Sequence, residues 1–332
     1  MRDLLTVLRA AGPSPMSGTE LGRRLGISRA AVWKRIQGLQ RAGYRIQSVR
    51  GLGYQLCGEP DSLAPEAVEP LLTGTLFRPD GYRFFPELGS SNEEVVAQAR
   101  AGAAEGLVVV ADCQTAGRGR LDRSWSSPPG VNLYFSFLLR PALPPGRTFQ
   151  LTLLAGLALA ETLVGLGIAG LAIKWPNDLL LDGRKLGGIL TEMAAEPDHV
   201  QYVVVGVGLN VNQPRAAFPP ELQGIAATLR EVPPSGGGGD PVDFWPRRVI
   251  LAGFLRNFAT WYRRFLQEGF PPVRQGWLRY AAIRDRRVQV NLLHERFSGQ
   301  AVDMDPEGFL LVKQDDGPVR KVVAGDVALL SR

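Results

Sequence analysis

Gln114-Thr115-Ala116-Gly117-Arg118-Gly119-Arg120 follows the apolar, strand-like stretch Leu107-Val108-Val109-Val110-Ala111, and the reading of this junction decides the fold. Two glycines alternate with two arginines. Glycine lets backbone N–H groups approach a ligand closely. Arginine adds an always-charged, forked donor suited to phosphate or carboxylate. A strand ending in such a loop is an anion site. It is not a Walker A loop, because no Gly-Lys-Ser/Thr follows. Taken alone, the run would also suit an exposed basic hairpin.

A second cluster lies downstream. Lys174-Trp175-Pro176-Asn177-Asp178 is followed by Arg184-Lys185-Leu186-Gly187-Gly188-Ile189-Leu190. It adds two lysines, one carboxylate and a second glycine pair. Several cations with one acid suit a highly anionic substrate accompanied by a metal ion. Around these motifs the spacing predicts strands at Arg83–Pro86, Leu107–Asp112, Leu133–Leu139, Ala172–Trp175, Gly188–Glu192 and Tyr202–Leu209. Helices are expected at Ser91–Ala101, Thr148–Leu166, Val242–Gln267 and Val273–Ala281. The fold class is α+β, with a mixed or antiparallel sheet packed on helices. Ser235 to Gly239 reads as a flexible loop. From Arg286 onward, the alternating strands Val288–Leu292, Gly299–Met304, Phe309–Lys313 and Val319–Val323 suit a small SH3-like β-barrel.

The chain has 332 residues, of which 45% are hydrophobic and 21% charged, as in a soluble globular protein. Its net charge of +6 is uneven. Residues 1–60 hold ten basic and three acidic residues, whereas the remainder is close to neutral. That segment alone therefore calls for a polyanionic partner. Its pattern is helix over 3–10, helix over Thr19–Leu25 ended by Gly26, and a third helix capped by Ser28 and running to Arg41. Tyr44–Val49 and Tyr54–Leu56, joined through Arg50-Gly51-Leu52-Gly53, form a wing. This is a winged helix-turn-helix. Ser28, Arg29, Ala30 and Lys34 on the third helix and Arg50 on the wing are the candidate DNA contacts. Trp33 is unusual on such a face, and packing against the wing would account for it.

Two cysteines, Cys57 and Cys113, fit neither a metal site nor a disulfide framework. A reducing cytoplasm is expected. Cys113 has no histidine partner in view and reads as a small strand-end residue, and His199 and His294 lie in turn-like contexts. Phe149 to Ile173 is apolar enough to suggest a membrane span. Interruption by Gln150, Thr152, Glu161 and Thr162 predicts a buried core helix instead.

These motifs, together with Gly206-Val207-Gly208-Leu209-Asn210-Val211-Asn212, resemble those of the biotin–protein ligases, including the bifunctional members that repress the biotin operon. The resemblance covers nearly the whole length. It implies domains at 1–62 (winged helix-turn-helix), 63–283 (ligase) and 284–332 (barrel). It also implies a two-step reaction. Biotin attacks the α-phosphate of ATP to give biotinyl-5′-AMP, and a lysine of a biotin carboxyl carrier domain then takes the biotin. In this reading Arg120 holds the adenylate, while Arg118 serves the biotin carboxylate and phosphates. Lys185 neutralises the reacting carboxylate and phosphate, and Lys174 assists. Asp178 anchors Mg²⁺, with Asn177 beside it in the ATP site. Ser90, Ser91, Asn92 and Gln114 serve the biotin, Gly117 and Gly188 allow close approach, Trp125 walls the pocket and Asn210 reads the adenine. Ser90 would equally serve as a helix cap. The partners implied are the carrier domain, operator DNA through residues 1–62, and a second copy in a homodimer promoted by biotinyl-AMP, with no membrane.

Leu121-Asp122 departs from the glycine-bearing pair common in the family at that place, and the aromatic that some members close over the adenine has no assigned counterpart here, Phe218 being the one aromatic in 213–240. The barrel could grip the carrier or cover ATP. Two other readings stay open on sequence: a non-catalytic ligand-sensing transcription factor, and a lipoate-type ligase on a related fold.

Overall fold

The structure is a computed structural model describing residues 2–41, 43–232, 244–283, 285–292, 294–315 and 317–330. The chain divides into two compact units, Met1–Ser62 and Leu63–Arg332.

In the first unit, α1 (Arg2–Ala11), α2 (Gly18–Leu25) and α3 (Arg29–Arg41) precede a hairpin of β1 (Arg45–Val49) and β2 (Gly53–Gly58). The Ser17 hydroxyl caps α2 by accepting from the Glu20 N–H, and Gly26, in the left-handed region at φ 63°, ends it. The Ser28 hydroxyl accepts from the Ala31 N–H at 3.2 Å and starts α3. Val32, Ile36 and Leu39 recur at helical spacing and close a core with Leu4, Leu5, Leu8, Leu21, Tyr44 and Ile46. Gln40 Nε2 donates to the Ile46 carbonyl at 2.7 Å and fixes α3 to the first strand of the wing.

The second unit begins with a short α4 (Pro65–Val68), which the sequence reading had not anticipated. Next come β3 (Tyr82–Leu88), α5 (Ser91–Arg100), β4 (Val108–Gln114), β5 (Leu133–Leu139), α6 (Phe149–Gly165), β6 (Leu171–Lys174), β7 (Asp178–Leu181), β8 (Arg184–Ala195) and β9 (Val200–Leu209). These seven strands form one sheet in the order β3-β4-β5-β9-β8-β7-β6. Only β3 and β4 run parallel, joined through α5. The strand β7 was not expected. Asp182 and Gly183, at φ 47° and 78°, supply the tight turn that returns it as β8.

Strand alternation sends side chains to opposite faces. Val108, Val110, Phe135, Phe137, Val203, Val205 and Val207 point into the large core shared with α6 and α7 (Arg247–Glu268). Val109, Leu138, Tyr202 and Val204 point the other way, onto Val95 and Ala99 of α5. Apolar runs without alternation, such as Leu133–Leu139, mark strands covered on both sides. The stretch Pro145–Gly165 is long and apolar enough to cross a membrane, but 78% of its apolar window is buried. It is the central helix of the core. The helix expected over Val242–Gln267 starts at Arg247, after Pro246; Val242, Asp243 and the loop 235–239 lie outside the described residues.

After α8 (Pro271–Leu278), β10 (Arg287–Asn291), β11 (Arg296–Met304), β12 (Leu310–Gln314), β13 (Val319–Val322) and β14 (Asp326–Leu329) form an antiparallel sheet in the order β13-β12-β11-β10-β14. Strand β14 adds to the four expected. Val288, Val290, Met304, Val312 and Val327 join the same apolar core as α6. Trp175 Nε1 donates to the Gly308 carbonyl at 3.1 Å, and Phe149 stacks on Phe309 at 4.4 Å.

Candidate active site

The α5-side face of the sheet is apolar at one end and bare at the other. The bare end follows a cross-strand row in which Lys174 faces Asp178, Asp178 faces Gly188, Gly188 faces Gly208 and Gly208 faces Tyr134. Cross-strand partners share a face, so two charged side chains stand beside a two-glycine floor. The next row pairs Ser136 with Gly206. A register shift between β7 and β8 pairs Leu180 with Lys185 and so aims Lys185 to the same side as Gly188.

The glycines are needed. A Cβ on Gly206 would lie 2.0 Å from Asn92 Oδ1, and one on Gly208 would lie 2.6 Å from the Trp125 ring. Over this floor lies a cavity of about 250 Å³. Its roof is the Arg118–Ser126 segment, a hairpin-like loop closed by Trp125 N–H donating to the Gly117 carbonyl at 2.8 Å and Gly119 N–H donating to the Arg123 carbonyl at 2.7 Å. At its tip, Leu121 and Asp122 both take left-handed φ values, 56° and 54°. Phe218, Leu222, Ile225 and Ala226 make an apolar wall.

The electrostatic centre is Asp178. Its Oδ1 meets Lys185 Nζ at 2.6 Å and its Oδ2 meets Lys174 Nζ at 2.9 Å. Burial pushes this carboxyl up, but the two ammonium groups outweigh burial and hold it below the ordinary aspartate value. Lys185 also sits 5.5 Å from the Trp125 ring centroid. Arg120 donates through Nη1 to Asn177 Oδ1 and through Nη2 to the Gly325 carbonyl, each at 3.1 Å. Burial lowers its pKa from the ordinary arginine value. Arg123 reaches Asp326 at 2.7 Å. The C-terminal sheet therefore holds the arginine loop from one side. Arg118 lies 3.4 Å from both Glu93 and Glu192.

A polar chain runs beneath the cavity. Gln114 Oε1 accepts from the Ser91 N–H at 2.8 Å, and its Nε2 donates to Ser127 Oγ at 3.1 Å. Ser91 Oγ lies 2.7 Å from Ser136 Oγ, which donates to Asn92 Oδ1 at 2.5 Å. Asn92 Nδ2 donates to Glu192 at 2.6 Å. Trp125 Nε1 is buried without a partner among the described residues, which leaves one donor for an acceptor in the cavity.

Of the residues singled out from sequence, Ser90, Ser91, Asn92, Gln114, Arg118, Arg120, Trp125, Asn177, Asp178, Lys185, Gly188 and Asn210 all line this cavity. Two expected ligand contacts do not line it. A Cβ on Gly117 would strike the Trp125 carbonyl at 2.6 Å and Ser127 Oγ at 2.7 Å, so this glycine serves the closure of the loop itself. Lys174 stands behind Asp178 rather than in the wall. Asn210 lines the cavity and is also tied to the segment behind it. Its Nδ2 donates to the Ala227 carbonyl at 3.0 Å. Ser90 makes no side-chain capping bond.

Sequence reasoning missed Ser136, Ser127, Glu192 and Asp326. A lone serine inside the apolar run Leu133–Leu139 was the available signal for Ser136, whereas nothing local marks Asp326. Cys113 is partly buried, and burial, Glu87 and Asp112 push its thiol up, away from nucleophile chemistry. Glu196, Asp198 and His199 form an exposed cluster in a turn, and none of them lines the cavity.

Asp178 is the one carboxylate set among the cavity's lysines. Each of its oxygens retains a second lone pair beside its lysine. That donor set fits Mg²⁺ only together with substrate phosphates, as is usual for this ion.

In the N-terminal unit, Ser28, Arg29, Ala30, Lys34 and Arg50 are all exposed. Trp33 is 56% exposed, and Gln40 ties α3 to the first strand of the wing.

A cation-lined slot over a glycine floor, with no nucleophile–base pair among the described residues that line it, fits a ligase that activates a carboxylate. Residues 94–210 match the biotin/lipoate A/B protein ligase family, residues 1–55 an HTH domain and residues 285–330 the biotin protein ligase C-terminal domain. The chain is 37% identical to the bifunctional ligase/repressor BirA of Bacillus spizizenii over 99% of its length and 98% of that protein's. It is 33% identical to the Escherichia coli protein of the same name, over 95% of this chain and 93% of that one. A biotin protein ligase from Aquifex aeolicus, solved in complex with biotin and ATP, superposes with a TM-score of 0.63 at 28% identity, covering 76% of this chain and 99% of that one. The chain belongs to the biotin protein ligase family, among the members that carry an N-terminal helix-turn-helix domain.

Proposed function

We propose that the cavity joins biotin to ATP and then passes the biotin to a lysine of a biotin carboxyl carrier domain. The observation that carries this reading is the grouping of Lys185, Asp178 and Arg120 at one cavity with a glycine floor. The biotin carboxylate attacks the α-phosphorus and pyrophosphate leaves, giving biotinyl-5′-AMP. The acceptor lysine then attacks the acyl carbon, loses a proton and displaces AMP. Neither step needs an enzyme nucleophile, so the protein acts by positioning and by neutralising charge.

Lys185 sits nearest the charge that both steps develop. Asp178 and Lys174 set its position, and Asn177 sets that of Arg120. Arg118 would exchange Glu93 and Glu192 for the adenylate's phosphate. The ureido end suits the Ser91–Asn92–Gln114 floor, with Trp125 packed over Gly208 as its lid. The adenine suits the apolar wall of Phe218, Leu222 and Ile225. Mg²⁺ would be held by Asp178 and the triphosphate, and would offset phosphate charge. We divide the chain functionally at 62 and 283, assigning residues 1–62 to operator DNA and the last part to bracing the arginine loop. A cytoplasmic setting and a homodimer promoted by biotinyl-AMP complete the proposal.

The test is the intact mass of an apo carrier domain incubated with this protein, biotin, ATP and Mg²⁺, beside Lys185→Ala and Arg120→Ala. A gain of one biotin, abolished or strongly slowed in both variants, is expected. No gain with biotin but a gain with lipoate would replace this reading with the related lipoate ligase.

A further inference from the structure

Six tryptophans occur in the chain, and Trp33 alone among them is exposed, at 56%. It stands in the second turn of α3, four residues after Arg29, three after Ala30 and four before Gln37. Residues at these spacings share one helix face, which flanks the buried Val32, Ile36 and Leu39. Trp33 makes no hydrogen bond or ring contact with the described residues. More than half of its surface stays open to solvent, while α3 is tied to β1 lower down through Gln40 and Ile46. An indole is the largest apolar side chain a protein can present, and here it stands in water among Arg29, Lys34 and Gln37. Its combination of a large apolar body and a polar N–H, set among basic and amide groups, suits a surface that is covered on binding.

We propose that Trp33 is a sequence-reading residue, packing its indole on the C5-methyl group of a thymine in the major groove. This rests on the assignment of residues 1–62 to operator DNA. The charge of the unit, ten basic against three acidic residues in 1–60, commits the occupant of this face to a polyanion. On a recognition helix, the N-terminal residues meet base edges. Arg29 and Gln37 supply the polar partners for purine edges, and Lys34 suits a phosphate. The one apolar group the major groove offers is the thymine methyl, and Trp33 is the one large apolar group on this stripe.

The experiment uses the full chain with biotin and ATP present. A duplex is selected by the wild-type protein from a randomised pool, and each thymine is then replaced singly by deoxyuridine, which removes only the methyl group. Wild-type affinity should fall about fourfold at one step per half-site, the effect of one buried methyl. Trp33→Ala should bind more weakly overall and be indifferent to deoxyuridine at that step alone. Biotinylation of a carrier domain and far-UV circular dichroism should be unchanged in the variant, which separates misfolding from a lost contact. If Trp33→Ala retains the same deoxyuridine penalties as wild type, the proposal fails while operator binding stands. If Trp33→Ala binds the duplex as wild type does but alters the oligomeric state, the indole belongs to a contact between copies and the proposal fails. If the wild-type chain selects no duplex, the DNA assignment fails with it.

Discussion

A methyl group's worth of space separates a working floor from a blocked one. Gly208→Ala would set a Cβ 2.6 Å from the Trp125 ring and lift the indole off β9. The Michaelis constant for biotin should rise about tenfold, roughly 1.4 kcal/mol of binding, with a nearly unchanged melting temperature. An unchanged biotin constant would show that Trp125 does not touch biotin. Asp178 carries a different kind of constraint. Its folded-state pKa is lowered, so its pairing stabilises the protein fully above the ordinary aspartate value of about 4 and is lost as pH falls through the lower, folded value. Asp178→Asn leaves two ammonium groups without their counter-charge. It should be less stable at neutral pH and should lose less on acidification, so the two unfolding midpoints converge at low pH. Parallel curves would show that the pair contributes nothing.

At the level of elements, two tight turns predict opposite signs. Asp122 adopts φ 54° at the tip of the arginine loop, where a residue with a Cβ is disfavoured; Gly183 adopts φ 78° in the β7–β8 turn, where glycine is suited. Gly183→Ala should destabilise the second unit by about 1 kcal/mol in urea. Asp122→Gly should leave global stability alone and slow tryptic cleavage at Arg120 and Arg123 about twofold, as local strain is relieved. Faster cleavage would show that the gained freedom of glycine outweighs the strain. The same elements show what was legible in the sequence. The strand Leu133–Leu139 and the helices α2, α3, α5 and α6 stood out through apolar periodicity and caps. Strand β7 did not, because Leu179-Leu180-Leu181 shows no alternation and Asp178 was read as a ligand alone. Asn210 and Gly117 stand out in the sequence through motif membership, and only three-dimensional neighbours add their scaffold contacts, to the Ala227 carbonyl and to the closure of the arginine loop.

For the molecule as a whole, charge and chemistry are segregated. The basic excess lies in residues 1–60, and the remainder is nearly neutral. Affinity for a duplex should therefore fall steeply with salt, whereas carrier biotinylation should hardly change over the same range. Arg50→Ala should reduce the slope of log affinity against log salt by about 1 without altering base preference. An unaltered slope would remove the wing from the backbone contacts.

The grip of Gly325 and Asp326 on Arg120 and Arg123 has a temporal side. Arg120 meets a carbonyl 205 positions later in the chain. On the ribosome, earlier segments emerge and fold first, so the arginine loop must wait through most of translation for the strand that steadies it. A nascent chain that already possesses sheet, glycine floor and lysines would still lack a braced roof. Competence for catalysis would thus arrive late and abruptly, and unfinished chains would be spared from making a reactive anhydride that they could not yet shelter.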